Sequence, residues 1–136
     1  MKENNIERPF KNVYLGNYNF KVYGISDQDT YFSNICDNFE AEFYDFCNLL
    51  IKRGSVCIDI GANIGMKSLY LSKHVGEQGQ VIAIEASPTA FDLLLLNIKA
   101  NNVKNITAIN CAIGDFSGYT YFNDNSAYGH IANQGV

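Results

Sequence analysis

The sequence predicts an α/β domain whose core strands run parallel, and three observations carry that prediction. Short, near-continuous apolar runs stand at 55–60 (SVCIDI), 80–85 (QVIAIE) and 105–111 (NITAINC). Strands of a parallel sheet, covered on both faces, read as such runs instead of alternating. Between them lie segments with apolar residues at helical spacing, and each parallel step needs a crossover of that kind. Gly61 and Gly65, Gly76, Ser87-Pro88 and Asn101-Asn102 mark the joins, where turns and helix ends need those residue types.

Taken in order, the chain opens on an aromatic lead-in: 11 of its 18 Phe and Tyr lie in the first 50 residues. Residues 13–15 and 19–23 flank Gly16-Asn17, which predicts a hairpin. Residues 33–52 are expected to form one helix with Cys36, Phe39, Phe43, Phe46, Cys47 and Leu50 inward, stopped by Gly54. The helix at 64–75 turns Ile64, Leu69, Leu71 and Val75 to the core. The next begins with Ser87 as N-cap and Pro88 in its first turn, with Phe91, Leu94, Leu95 and Ile98 inward. Strand, helix, strand, helix, strand is two βαβ units, and such crossovers are right-handed in roughly 98% of cases. The expected result is a Rossmann-like sheet of three core strands in spatial order 3-2-1, preceded by the hairpin and the aromatic helix. Residues 119–122 predict one more short strand, and 123–136 are expected to be irregular. The expected organisation is a lead-in over 1–32 and the Rossmann-like, cofactor-binding unit over 33–136, incomplete relative to the full fold.

Composition narrows the function. The chain has 136 residues, one domain's worth, with 14 acids against 10 bases for a net charge of −4. That balance argues against a partner held through a basic surface, so no nucleic acid is expected. No apolar run reaches the ~18 residues of a membrane span, and residues 1–10 lack the apolar stretch of a signal peptide. The four cysteines, Cys36, Cys47, Cys57 and Cys111, show no C-x-x-C and no neighbouring histidine. Neither a disulfide framework nor a metal site is expected, and a reducing cytoplasm fits. The sequon Asn105-Ile106-Thr107 is irrelevant without secretion.

The informative segment is Val56-Cys-Ile-Asp-Ile-Gly-Ala-Asn-Ile-Gly65. A strand ends near Asp59, and Gly61 and Gly65 frame a tight turn into a helix. Small residues let backbone pass close under a ligand, and the strand carboxyl ends are where an open α/β sheet keeps its crevice. Glu85 ends the next strand, 20 residues after Gly65, where it could accept from both hydroxyls of a ribose. A dinucleotide fingerprint, G-x-G-x-x-G, needs a second glycine where this chain has Asn63. S-adenosylmethionine has no pyrophosphate to approach, and an acid at Asp59 suits its ammonium and sulfonium charges.

Asp59-x-Gly61-x-x-x-Gly65 resembles motif I of class I S-adenosylmethionine-dependent methyltransferases, and Gly61-Ala62-Asn63-Ile64-Gly65 is similar to the FkbM-type version. The resemblance continues through 79–85, 97–102 (NIKANN) and 111–115 (CAIGD), covering about residues 37 to 120. It implies that Asp59, Gly61, Ala62, Asn63 and Gly65 lie beside the methionine portion of the cofactor. It implies further that Glu85 takes the ribose hydroxyls with Ala86 beside it, and that Cys111 and Ala112 lie against the adenine. The implied activity is methylation of an acceptor oxygen, often on a sugar or secondary metabolite, so a small-molecule or glycan acceptor is expected. FkbM-type enzymes continue through further strands, one with an Asp-x-Glu-Gly-like segment, and nothing of that kind precedes Val136. The chain therefore reads as the cofactor-binding part of such an enzyme, and no catalytic base is named.

Plainer roles compete. Gly61 and Gly65 could serve an ordinary turn, Asp59 could cap it, and Asn63 tolerates left-handed backbone. His74 is expected to complement a helix C-terminus, His130 to sit in a surface loop, and Glu40 and Glu42 to be the solvated side of the aromatic helix. Two alternatives remain at this stage: a nicotinamide-dependent oxidoreductase, since fold and Glu85 serve both cofactors, and a non-catalytic half-domain binding cofactor or a partner. The second follows from 56–60, expected to form an apolar sheet edge that invites self-association.

Overall fold

A computed structural model of the chain describes residues 7–115, 117–125 and 129–132. Two strands come first, β1 (Phe10–Leu15) and β2 (Tyr18–Tyr23), paired antiparallel with Leu15 opposite Tyr18. Gly16 takes the turn at φ +56°, and a Cβ there would stand 2.8 Å from the Tyr70 ring, so backbone and space both call for glycine.

The single helix expected at 33–52 is instead two, α1 (Thr30–Asn34) and α2 (Ala41–Leu50). The residues between them are tied to the hairpin. Asp37 Oδ1 accepts from the Tyr14 N–H at 2.8 Å, Asn38 Oδ1 accepts from the Gly16 N–H at 3.1 Å, and the Asn38 N–H donates to the Tyr14 carbonyl at 2.7 Å. Asn38 and Glu40 stand at φ +54° and +58°, which no continuing helix allows. Polar side chains thus draw the backbone out of the helix toward a strand more than 20 residues away. The break turns the inward face: Tyr44 and Cys47 are buried and Phe39 and Phe43 half-buried, whereas Cys36, Phe46 and Leu50 are exposed. Gly54 does not stop α2, which ends at Leu50; it sits at φ +83° in the turn into the next strand.

The central sheet holds β3 (Val56–Ile60), β4 (Gln80–Glu85) and β5 (Ile106–Asn110), all parallel and in the order β3-β4-β5. This is the expected 3-2-1 arrangement. Between the strands run α3 (Met66–Val75), closed by Gly76, and α4 (Pro88–Ala100), whose Ser87 cap accepts from the Ala90 N–H at 3.0 Å. Leu69, Leu71 and Val75 are buried on α3, and Ile64 just before it, as their spacing requires.

On α4 the buried residues are Ala90, Leu93, Leu94 and Asn97; Phe91 and Ile98 are only half-buried, and Leu95 is exposed. The face is rotated because a polar residue belongs at its centre. Asn97 Oδ1 accepts from the Tyr23 N–H at 2.7 Å, and its Nδ2 donates to the carbonyls of Tyr23 (3.2 Å) and Ile64 (2.8 Å). One turn on, Asn101 makes the same paired contact with Lys21, at 2.9 and 2.8 Å. Two amides on α4 thereby satisfy the edge of β2 as a neighbouring strand would.

Hairpin and sheet share a core in which Val13, Leu15, Phe20 and Val22 meet Leu69, Tyr70 and Leu93. The other sheet face is open along β3, where Val56, Ile58 and Ile60 are 65%, 61% and 64% exposed, so the cover on both faces that the apolar runs led one to expect is not present there among the described residues. Among the described residues β3 also pairs only with β4. This is the apolar edge the sequence implied. Beyond β5, β6 (Phe122–Asn123) pairs antiparallel with β7 (His130–Ile131). The strand expected at 119–122 thus begins at Phe122, and part of the stretch expected to be irregular is paired with it. Residues 126–128 and 133–136 of that stretch, like 1–6 of the N-terminus, lie outside the described residues. Among the described residues no helix is long and apolar enough to cross a membrane.

Candidate functional site

Parallel register brings the two candidate acids to one end of the sheet. Asp59 lies opposite Ala83 and Ile60 opposite Ile84, so Asp59 and Glu85 both emerge at the carboxyl ends of β3 and β4. From β3 the chain turns through Gly61 (φ +77°) and Asn63 (φ +51°) to Gly65 (φ +97°), the cap of α3. The N–H groups of Gly61 and Ala62 both donate to the Ile84 carbonyl, at 2.9 and 3.0 Å, pinning the turn across the end of β4.

The glycines do different work. A Cβ on Gly61 would meet nothing within 4 Å, whereas one on Gly65 would lie 2.6 Å from Leu94 Cδ1. Gly61 leaves bare backbone facing open space; Gly65 lets α4 approach the turn. Asn63 adopts the left-handed conformation that asparagine tolerates, and its N–H donates to Glu85 Oε2 at 2.7 Å. The Ser87 N–H donates to Glu85 Oε1, also at 2.7 Å. Glu85 is 8% exposed, and these two charge-assisted bonds fix its carboxylate while leaving each oxygen able to accept again.

Asp59 sits under the turn, accepting at 2.6 Å from the buried Ser68 hydroxyl. Burial pushes its carboxyl above the ordinary value, opposed by the Ser68 hydrogen bond and the positive charge of Lys67. A raised folded-state value means the native chain holds this proton more tightly than the unfolded one, so stability is lost as pH rises from the unfolded value through the folded one. Asp59→Asn is therefore expected to raise the melting temperature at pH 7. The stability gap from wild type should close below the ordinary carboxylate range, and a pH series of thermal melts checks it. Equal melting at pH 7 would count against the burial argument.

A cleft of about 290 Å³ opens at this end, and Gly61, Asn63, Glu85, Ala86, Cys111 and Ala112 line it. Asp59, Ala62 and Gly65 stand behind this wall: Ala62 is buried, and Gly65 is taken up by its contact with Leu94. Asn110, ending β5, donates from Nδ2 to the carbonyls of Glu85 (2.8 Å) and Ala86 (3.3 Å), which ties the third strand to the acid's backbone. Ile60, Ile84 and Ile113 line the cleft as well, and the lining is completed by Phe122, Gly129 and Ile131. Sequence reasoning missed these last three, since two residues per strand carry no readable period.

A wider cleft, about 980 Å³, lies at the opposite, amino ends of the strands among Arg53, Lys73, Glu77 and Lys104. None of the candidate residues lines it, and open α/β sheets place ligands at the carboxyl ends. The smaller cleft is therefore the candidate site. His74 proves structural: its Nε2 donates to the Ile51 carbonyl at 3.0 Å and its ring stacks on Tyr70. Glu40 is not merely solvated, for it pairs with Lys67 at 3.2 Å.

Comparison with known proteins bears on the family and the fold. A model of the TRM5/TYW2 methyltransferase domain matches residues 22–130. Methyltransferase sdnD of Sordaria araneosa is 32% identical over 88 residues, covering 62% of this chain and 33% of the relative. Ribosomal RNA large subunit methyltransferase E of Bdellovibrio bacteriovorus is 38% identical over 55 residues, covering 40% of this chain and 28% of the relative. The chain thus spans about a third or less of the length of these relatives. Among solved structures, M. jannaschii TYW2 in complex with AdoMet has the same fold, with a TM-score of 0.52 at 24% identity over 77% of this chain and 44% of that one. With the family model covering about four-fifths of its length, the chain belongs to the TRM5/TYW2 methyltransferase domain family, of the class I S-adenosylmethionine-dependent type.

Proposed function

We propose that the cleft at the carboxyl ends of β3, β4 and β5 binds S-adenosylmethionine, and that the enzyme methylates a hydroxyl oxygen of a sugar or secondary metabolite. The observation that carries the first part is Glu85, nearly buried yet on the cleft wall, with both oxygens already oriented by the N–H groups of Asn63 and Ser87. A carboxylate so held can accept from the paired hydroxyls of a ribose without reorganising. Gly61 offers backbone with no Cβ in the way, Asp59 places negative charge beneath the turn, and Cys111 and Ala112 give the base a small, flat wall. The cleft volume stands at the small end of the roughly 300–1,000 Å³ usual for ligand sites, which suits one nucleoside better than two.

S-adenosylmethionine supplies an electrophilic methyl carbon on a cationic sulfur. The chain's own part is to bind and orient: Glu85 and Asn63 set the nucleoside end, and the turn at Gly61 sets the other. A dinucleotide is disfavoured because Asn63 bears a side chain where a second glycine is required, and its N–H is already given to Glu85.

For the acceptor, the ordered FkbM-like motif series supports a hydroxyl on a small molecule or glycan. The ribosomal RNA relative favours a second reading, an RNA acceptor. Against it, the described residues lining the cleft include no Lys or Arg to neutralise phosphates, and the whole chain carries −4. Calorimetric titration of the chain is expected to show saturable binding of S-adenosylhomocysteine and none of NADH. Tight NADH binding without S-adenosylhomocysteine binding would reverse the assignment.

A further inference from the structure

We infer that Asp124 is a positioning residue for the cofactor site, latching the β6–β7 pair against the start of α4 so that the pair walls the cleft and Glu85 is steadied through Ser87. The inference rests on the reading of the cleft as a nucleoside site. Asp124 directly follows β6, and its carboxylate reaches the first turn of a helix more than 30 residues back in the chain. Oδ1 accepts from the Ser87 hydroxyl at 2.5 Å; Oδ2 accepts from the Thr89 hydroxyl at 2.7 Å and, more weakly, from the Thr89 N–H at 3.4 Å. Those hydrogen bonds, from Ser87 first, hold the Asp124 carboxyl below its ordinary range. An ionised carboxylate is also the group that a helix N-terminus favours.

Ser87 is where the latch meets the site. Its hydroxyl donates to Asp124 and accepts from Ala90, while its N–H donates to Glu85 Oε1. Asp124, Ser87 and Glu85 form one chain of hydrogen bonds from the wall to the ribose-facing carboxylate. The latched pair presents Phe122 and Ile131 to the same cleft that the Gly61 turn, Cys111 and Ala112 line. Gly129 belongs to the device, since a Cβ there would stand 2.6 Å from the Phe122 ring. The wall they form is apolar, fitted to the face of a base; release of Asp124 frees the wall and removes one tether on Ser87.

The chain contains no tryptophan, so Phe122→Trp places a single fluorescent reporter in the wall. In that background Asp124→Ala is expected to shift the emission to the red before any ligand is added. In the otherwise wild-type chain, Asp124→Ala is expected to weaken S-adenosylhomocysteine binding about tenfold while lowering the melting temperature by only a few degrees, so that the chain stays folded throughout the titration. Asp124→Asn, which keeps an acceptor for the Ser87 hydroxyl, should recover part of the affinity, and Ser87→Ala should add little to Asp124→Ala because the two act on one path. Unchanged emission overturns the latch. A moved emission with undiminished affinity overturns its role in positioning. A wild-type chain that binds no S-adenosylhomocysteine overturns the site reading and this role with it, an outcome distinct from wild type and variant binding equally well.

Discussion

Glu85→Ala is expected to lower affinity for S-adenosylhomocysteine about 100-fold. The proposed pose gives Glu85 two charge-assisted hydrogen bonds to the ribose, each worth about 1.5 kcal/mol, and the loss of both, ~3 kcal/mol, corresponds to that factor. The same change leaves the N–H groups of Asn63 and Ser87 without the acceptor they now share, so the turn itself loosens. Glu85→Gln separates the two effects. It retains one carbonyl oxygen, but its NH₂ must face one of the two backbone donors, so binding should fall by about tenfold with a smaller loss of stability. Titration calorimetry and urea denaturation on both variants read binding and folding independently. A folded Glu85→Ala chain with wild-type affinity would show that this carboxylate serves only the backbone.

Asn97→Ala is expected to destabilise the chain by about 2–4 kcal/mol, through three backbone groups left unpaired in a dry place. Asn97 has no exposed surface, and its amide satisfies the Tyr23 N–H and the carbonyls of Tyr23 and Ile64. Asn97→Leu tests whether lost volume or lost pairing dominates. Leucine refills the space, yet the edge of β2 and the Ile64 carbonyl still lack partners, so no rescue is expected. Asn101→Ala, at a half-exposed position, should lose only about 1 kcal/mol because water can replace its contacts with Lys21. Urea midpoints for the three variants settle the order. An Asn97→Leu chain as stable as wild type would show that α4 holds the hairpin by apolar contact alone.

The parallel sheet was legible in the sequence because its signals are local. Apolar runs, helical spacing and the glycine, serine and proline at the joins each act within a few residues, and β3, α3, β4, α4 and β5 follow them. What escaped depends on partners distant in sequence. Asp37 and Asn38 break the first aromatic helix only because the Tyr14 and Gly16 backbone awaits them. Asn97 turns α4 because β2 presents an open edge, and hydrophobic spacing alone puts Leu95 where solvent is. In the site, the acids and the turn were marked by their places at strand ends, and Cys111 and Ala112 by the family resemblance. Their division into a lining set and a supporting set was not, because it follows from how closely Leu94 packs on Gly65. Phe122, Ile131 and Asp124 stayed hidden for the same reason as Asn97: what fastens them is a contact across the fold.

The central claim is that a nucleoside enters between the Gly61 turn and the end of β4. The most direct measurement is an amide NMR spectrum of the isotope-labelled chain, titrated with S-adenosylhomocysteine. The account predicts that the Gly61, Asn63, Ser87 and Ala112 amides move together and saturate at one dissociation constant. Shifts confined to Gly54, Gly76 and Lys104, around the wider cleft at the other end of the sheet, would contradict it.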